Sequence, residues 1–228
     1  MLNQDMQDII RRAKKYGWVL EPDAKRLLSL AGIPVPDFRW IATLPEALEA
    51  AEGIGYPVVA KIVSPAIVHK SESNGVVVGI KDADALTAVF SAFSRLEGFA
   101  GVLIEPLVAG IELIVGAKID YQFGPVILLG IGGTGVEIYQ DAALRMAPLS
   151  NSDVSLMVES LTGAKLLQGY RGAEPIDMAA LVRLVHHFSA LVMDLADVID
   201  TVDLNPVKCT GTKCVVVDAR IMLADDGA

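Results

Sequence analysis

Residues 69–76 read His-Lys-Ser-Glu-Ser-Asn-Gly-Val, an imidazole and an ammonium beside hydroxyls and turn-forming residues. A neutral imidazole is nucleophilic near pH 7, because its unperturbed pKa is about 6.5, and its phosphoryl adduct can pass the group onward. Lys70 and the amides of such a loop are suited to hold a phosphate meanwhile. Alone, the stretch reads equally well as a polar surface loop. Lys61 lies eight residues upstream of His69, in the apolar run Gly-Tyr-Pro-Val-Val-Ala-Lys-Ile-Val at 55–63. An ammonium there either snorkels to the surface or meets an anion, and for an isolated lysine the first is commoner.

Residues 130–137, Gly-Ile-Gly-Gly-Thr-Gly-Val-Glu, could bring backbone amides close to phosphate. No Gly-Lys-Ser/Thr ends the run, so it is not a Walker loop; a strand-like segment follows, which does not suit a dinucleotide fingerprint either. Its bland reading is a glycine-rich hairpin. Arg145 falls on the strand that follows, where a guanidinium is suited to clamp phosphate.

Asp203-Leu-Asn-Pro and Val217-Asp-Ala-Arg are the remaining oxygen-rich segments. Asp203 and Asn205 are two apart on a strand and face the same way. If 210–213 form a four-residue hairpin loop, 209 pairs with 214, and the same register pairs 205 with 218. Cross-strand partners have Cβ atoms about 4.5–5.5 Å apart. Asn205 and Asp218 are then placed to share one hard cation. So few protein oxygens suit magnesium completed by a nucleotide's phosphates. The register also sets Cys209 against Cys214; two thiols make no disulfide framework, and no Cys/His spacing suits zinc.

The elements that must position these groups alternate between helix and strand signals, which predicts an α+β or α/β chain. Glu21-Pro22-Asp23 starts a helix that ends near Gly32. Thr43 and Glu46 have capping-box spacing for a helix through Ala51. Strands are expected at 55–63 and 76–80, a helix at 83–96, then strands near 102–108, 112–120 and 125–131. Helices follow at 151–161 and 178–196; the second sets Leu181, Leu184, Val185, Phe188, Val192 and Leu195 on one face. His186 and His187 fall off that face and read as surface histidines. Strands at 198–209 and 213–223 close the chain, which divides into a helical segment (1–20), a first lobe (21–100) and a second lobe (101–228).

Hydrophobic residues make up 53% of the 228, enough for a sizeable core. With 28 acidic against 19 basic residues the net charge is −9, which argues against a nucleic-acid surface but not against a small anion. The uncharged stretch Tyr121 to Val136 is short and broken by glycines, no signal peptide is visible, and a cytoplasmic protein without a membrane role is expected.

Taken in order, Gly-Ile-Pro-Val-Pro (32–36), Gly-Tyr-Pro-Val-Val-Ala-Lys (55–61), the His69 loop, the glycine loop with Glu137, Arg145, Asp-Leu-Asn-Pro (203–206) and Val-Asp-Ala-Arg (217–220) resemble a known family. They are similar to the β subunit of ADP-forming acetyl-CoA and acyl-CoA synthetases, relatives of succinyl-CoA synthetase in the ATP-grasp superfamily. The resemblance implies an α+β ATP-grasp fold with two lobes enclosing a nucleotide cleft. It implies that acyl-CoA, phosphate and ADP interconvert with the acid, CoA and ATP. A phosphohistidine relay would run through a CoA-binding α subunit, in an α2β2 assembly with magnesium as cofactor. His69 matches the histidine that exchanges phosphate with ADP. Lys61 matches the nucleotide-phosphate lysine, Glu105 and Leu107 the adenine-contacting hinge, and Glu112 the ribose carboxylate. Arg145 matches a phosphate-binding arginine, and Asn205 and Asp218 the magnesium ligands. The family loop usually reads His-Lys-Ser-Asp, one residue, then Gly-Gly-Val; here Glu72 stands for the aspartate and Asn74 for the first glycine. Asparagine tolerates left-handed backbone, so the loop shape is expected to persist.

Two other functions remain open to this sequence. A self-contained ATP-grasp carboxylate ligase would need its own acid pocket and no His69. A non-catalytic nucleotide-sensing module would bind nucleotide without turnover.

Overall fold

The computed structural model describes residues 2–133 and 140–224; Thr134, Gly135, Val136 and Glu137 of the glycine loop lie outside them. The chain folds as two compact units, one formed by 1–35 with 109–228 and the other by 36–108.

The smaller unit is a four-stranded sheet covered on one face by two helices. Its strands are β2 (Arg39–Ile41), β3 (Val58–Val63), β4 (Val76–Ile80) and β5 (Gly101–Pro106), in the order β2-β5-β3-β4, with every pairing antiparallel. Helices α3 (Leu44–Ile54) and α4 (Ala83–Phe93) bring Ala47, Ala51, Leu86, Phe90 and Phe93 onto Val58, Ala60, Ile62, Val102 and Ile104. The intervening strand residues Val59, Lys61, Leu103 and Glu105 belong to the opposite face, because side chains alternate along a strand.

The larger unit carries a seven-stranded antiparallel sheet. Its main path runs β1 (Trp18–Val19), β11 (Arg220–Leu223), β9 (Ile199–Cys209), β6 (Ile111–Asp120), β7 (Gly124–Ile131), β8 (Ala142–Met146); β10 (Cys214–Val216) pairs with β9. Helices α1 (Gln4–Ala13), α2 (Glu21–Leu30), α5 (Asn151–Ser160), the short α6 (Ala164–Leu167) and α7 (Met178–Leu195) complete it. By length and composition α7 could cross a membrane, but Leu181, Leu184, Val185, Phe188, Val192 and Leu195 are buried in the core of this unit. Within the uncharged stretch, residues 121–131 form the β6–β7 turn and strand β7.

The lobe boundary differs from the one expected near residue 100. Gly101–Pro106 pairs along the whole of β3, from Val63↔Gly101 to Val58↔Pro106, so it belongs to the first lobe's sheet. Residues 1–35 belong to the larger unit instead: β1 pairs with β11 (Trp18↔Met222), and Ala24, Leu27 and Leu28 of α2 join its core. The capping-box expectation at Thr43 also differs. Its hydroxyl donates to the Glu46 carboxylate rather than capping a backbone amide, whereas Ser150 and Asp153 form a reciprocal box at the start of α5.

Candidate functional site

In the smaller unit, β3 delivers Lys61 and then runs into the loop that carries His69. Lys61 is 3% exposed and Glu105 is fully buried, and the ammonium sits 2.9 Å from Glu105 Oε1. The pair arises because Lys61 lies opposite Leu103 and Glu105 opposite Val59, which sets the two charges diagonally on one sheet face. A lysine buried in an apolar strand needs a counter-charge, and here the Glu105 carboxylate supplies it. Glu105, expected at the adenine hinge, has its carboxylate engaged by Lys61. Leu107, just past β5, is half-exposed.

The His69 loop is anchored at both ends. Ser64 donates to the Glu97 carbonyl at 2.7 Å and accepts from the Ala66 amide at 3.1 Å. At the other end the Gly75 amide donates to the Lys70 carbonyl at 2.7 Å and Ile62 donates to Gly75 at 2.8 Å. A Cβ on Gly75 would lie 2.5 Å from Ile62 Cγ2 and 3.1 Å from the Lys70 oxygen, so this position has no room for a side chain. Asn74 has φ 52, the left-handed conformation that asparagine tolerates in place of glycine. Lys70 is buried, while the His69 side chain is 58% exposed, with Nδ1 3.7 Å from Glu72 Oε1.

The larger unit holds the oxygen-rich residues. Cys214 pairs with Cys209 and Val216 with Val207, as a four-residue loop requires. The same register carries on past the end of β10. The Val217 amide donates to the Pro206 carbonyl at 3.0 Å, and the Asn205 amide to the Asp218 carbonyl at 3.2 Å. Pro206, which has no amide hydrogen, leaves its mark on the other side of β9: the β6–β9 pairing shifts by one residue between Leu113↔Val207 and Val115↔Leu204. Leu204, Val207, Val216 and Ala219 face the core. Asp203, Asn205, Asp218 and Arg220 are off it.

Arg220 donates to Asp203 at 3.2 Å. Even so, burial raises the Asp203 carboxyl above the ordinary aspartate range; Arg220 pulls it down and the nearby Asp218 charge raises it further. Acidic groups crowded on a partly desolvated face, beside an asparagine amide, fit a divalent cation. Asn205 and Asp218 are the residues that would hold it. Glu112 lies opposite Lys208, whose ammonium contacts its Oε1 at 2.6 Å.

Arg145 is not brought to this group. It pairs with Ile127, a fully buried core residue, so it projects from the sheet face opposite the one that carries Asp203 beside Gly116. Its charge instead helps hold Asp153 below the usual carboxylate range, behind the larger effects of hydrogen bonds from the Ser150 side chain and amide. His186 and His187 are exposed as expected, with Nδ1 atoms 3.0 Å from the Leu149 carbonyl and 3.2 Å from that of Gly32. Both cysteines are free and buried, and the neighbouring Cys214 thiol together with burial pushes the Cys209 thiol far up. Sequence reasoning missed Lys208 and the Lys61–Glu105 pairing, because neither has a local signal: the partners lie 96 residues apart for Lys208 and Glu112.

The model of the ATP-grasp domain matches residues 11–223. The chain is 38% identical to subunit beta of acetate–CoA ligase [ADP-forming] I from Pyrococcus furiosus, over 95% of this chain and 97% of that protein. It is 41% identical to subunit beta of the second such ligase of that organism, over 90% and 91% of the two chains. A solved acetyl-coenzyme A synthetase from Ca. Korarchaeum cryptofilum superimposes with a TM-score of 0.84 at 37% identity, covering 96% of this chain and all of that one. That structure holds coenzyme A and Mg-AMPPCP, with a phosphohistidine segment pointing towards the nucleotide-binding site.

Proposed function

This chain belongs to the ATP-grasp domain family, among the beta subunits of ADP-forming acetate–CoA ligases, and we propose that His69 is the residue through which it exchanges a phosphoryl group with a CoA-binding partner subunit. The reaction of such a ligase interconverts acyl-CoA, phosphate and ADP with the acid, CoA and ATP, and this chain is its nucleotide-binding subunit. The observation that carries the function is the match across nearly the full length of both chains, at 38% identity. The role of His69 is supported by its exposure on an anchored loop that leaves the strand of Lys61.

In the direction that consumes ATP, a neutral imidazole nitrogen of His69 attacks the γ-phosphorus. The bond to the bridging oxygen breaks and its electron pair leaves with ADP. Lys61 would meet phosphate oxygens, and the Glu105 carboxylate 2.9 Å away supplies the counter-charge that a buried ammonium needs. Magnesium, held by Asn205 and Asp218, would supply neutralisation of phosphate charge. The phosphoryl group then passes from His69 to a histidine of a CoA-binding α subunit, in an α2β2 assembly. Arg145, on the other sheet face, has no part in this reading.

The test is labelling with γ-³²P-ATP in the presence of magnesium. The wild type is expected to carry an acid-labile label; His69→Ala is expected to bind nucleotide unchanged, take no label and lose acyl-CoA synthesis with the partner present. An acid-stable label, or a label that persists in His69→Ala, rules the relay out.

A further inference from the structure

The carboxylate of Glu112 is held through one of its two oxygens. Lys208 Nζ lies 2.6 Å from Oε1, across adjacent antiparallel strands where the two residues are direct partners. The strands are pinned close just beside them. Gly110, at φ 144, has no room for a Cβ, which would stand 2.6 Å from the Cys209 carbonyl oxygen. On the far side, the Gly132 amide donates to the Glu112 carbonyl at 2.7 Å. A Cβ on Gly132 would stand 2.8 Å from the Glu112 carbonyl carbon and 2.9 Å from its Cβ. A Cβ on Gly133 would stand 3.6 Å from Glu112 Oε2. Gly132 is therefore small because its backbone closes over Glu112.

We propose that Lys208 is a positioning residue for nucleotide recognition: by fixing Oε1 of Glu112 it presents Oε2 as the acceptor for the hydroxyls of a ribose. The proposal rests on the reading of Glu112 as the ribose carboxylate. An exposed glutamate samples several rotamers, and an ordered acceptor must be held in one of them before the ligand arrives. Among the described residues Oε1 has the ammonium and Oε2 has no hydrogen-bond donor. The strong, charge-assisted bond thus takes one oxygen and leaves the other for a neutral donor such as a hydroxyl. The ammonium also offsets a carboxylate charge that would otherwise repel the phosphates of the same ligand.

The experiment compares calorimetric affinities of the full chain for Mg-ADP, Mg-2′-deoxy-ADP and Mg-3′-deoxy-ADP. Wild type is expected to lose on the order of tenfold in affinity when the hydroxyl that meets Oε2 is removed, the worth of one hydrogen bond to a charged group. In Lys208→Met, ADP binds on the order of tenfold more weakly and the deoxy penalty collapses towards unity. Lys208→Arg, which keeps a charged donor, restores the penalty. Lys208→Gln gives a reduced one and serves in place of the methionine variant should that fail to fold. A deoxy penalty that survives intact in Lys208→Met and Lys208→Gln but vanishes in Glu112→Gln overturns the positioning role and leaves the ribose reading standing. Uniform weakening for all three nucleotides in the Lys208 variants also overturns it, as a merely structural or electrostatic effect. No deoxy penalty in wild type, with ADP affinity unchanged in Glu112→Gln, removes the ribose reading itself and the proposal with it.

Discussion

The Asn205 amide donates to the Asp218 carbonyl at 3.2 Å, so the two strands that carry these residues stay in step through Pro206 on this side of β9. The slip that proline forces falls on the β6 side instead. Asn205 and Asp218 are thereby kept as backbone neighbours off the core face.

Asp218→Ala is expected to abolish the magnesium dependence of nucleotide binding while leaving the thermal unfolding midpoint close to wild type, because Asp218 is only partly buried and lies off the core. Calorimetry with and without magnesium reads this directly. Equal nucleotide affinity with magnesium in the variant and the wild type would count against the metal assignment.

Lys61→Met leaves the fully buried Glu105 without its 2.9 Å cation. Breaking a buried ion pair by removing one partner costs about 3–5 kcal/mol, and replacing both with apolar groups recovers much of it. Denaturant unfolding should therefore rank wild type above Lys61→Met, with Lys61→Met/Glu105→Leu between them or above both. A Lys61→Met variant as stable as wild type would mean that Glu105 has found other compensation.

Gly75→Ala forces a methyl group into a position 2.5 Å from Ile62 Cγ2 and 3.1 Å from the Lys70 carbonyl oxygen. The His69 loop must shift, so the rate of His69 labelling from ATP should fall by more than nucleotide affinity does. Rapid-quench labelling set beside calorimetry separates the two; equal losses in both would place the glycine's role in the fold rather than in the loop.

The Ser150–Asp153 box at the start of α5 supplies the pH dependence that is easiest to read. Hydrogen bonds from Ser150 favour the charged carboxylate and hold Asp153 below the usual range. A depressed folded pKa gives stability that is present above the unfolded value, near pH 4, and is lost as pH falls through the folded value. Ser150→Ala should lower the thermal midpoint at neutral pH and move the Asp153 titration upward by NMR. The stability gap to wild type should narrow in acid; a gap that is constant with pH would show that the carboxylate is not the group involved.

Much of the local structure was legible in the chain itself. The 210–213 loop set the Cys209↔Cys214 register, and with it the neighbourhood of Asn205 and Asp218. The apolar stripe of 178–196 became helix α7, and Asn74 took the left-handed backbone its side chain permits. These features depend on windows of a few residues, where turn chemistry and side-chain periodicity decide the outcome. The tertiary structure decided what those windows cannot hold. Trp18 pairs with Met222, so the first 35 residues join the larger unit, and Gly101–Pro106 joins β3 in the smaller one. Strand order set Glu105 against Lys61 and Lys208 against Glu112, and turned Arg145 to the face away from Asp203. The physical reason is the same in each case: the face a strand residue occupies, and the charge it meets there, follow from which distant strand lies alongside, and that is selected by burial summed over the whole sheet.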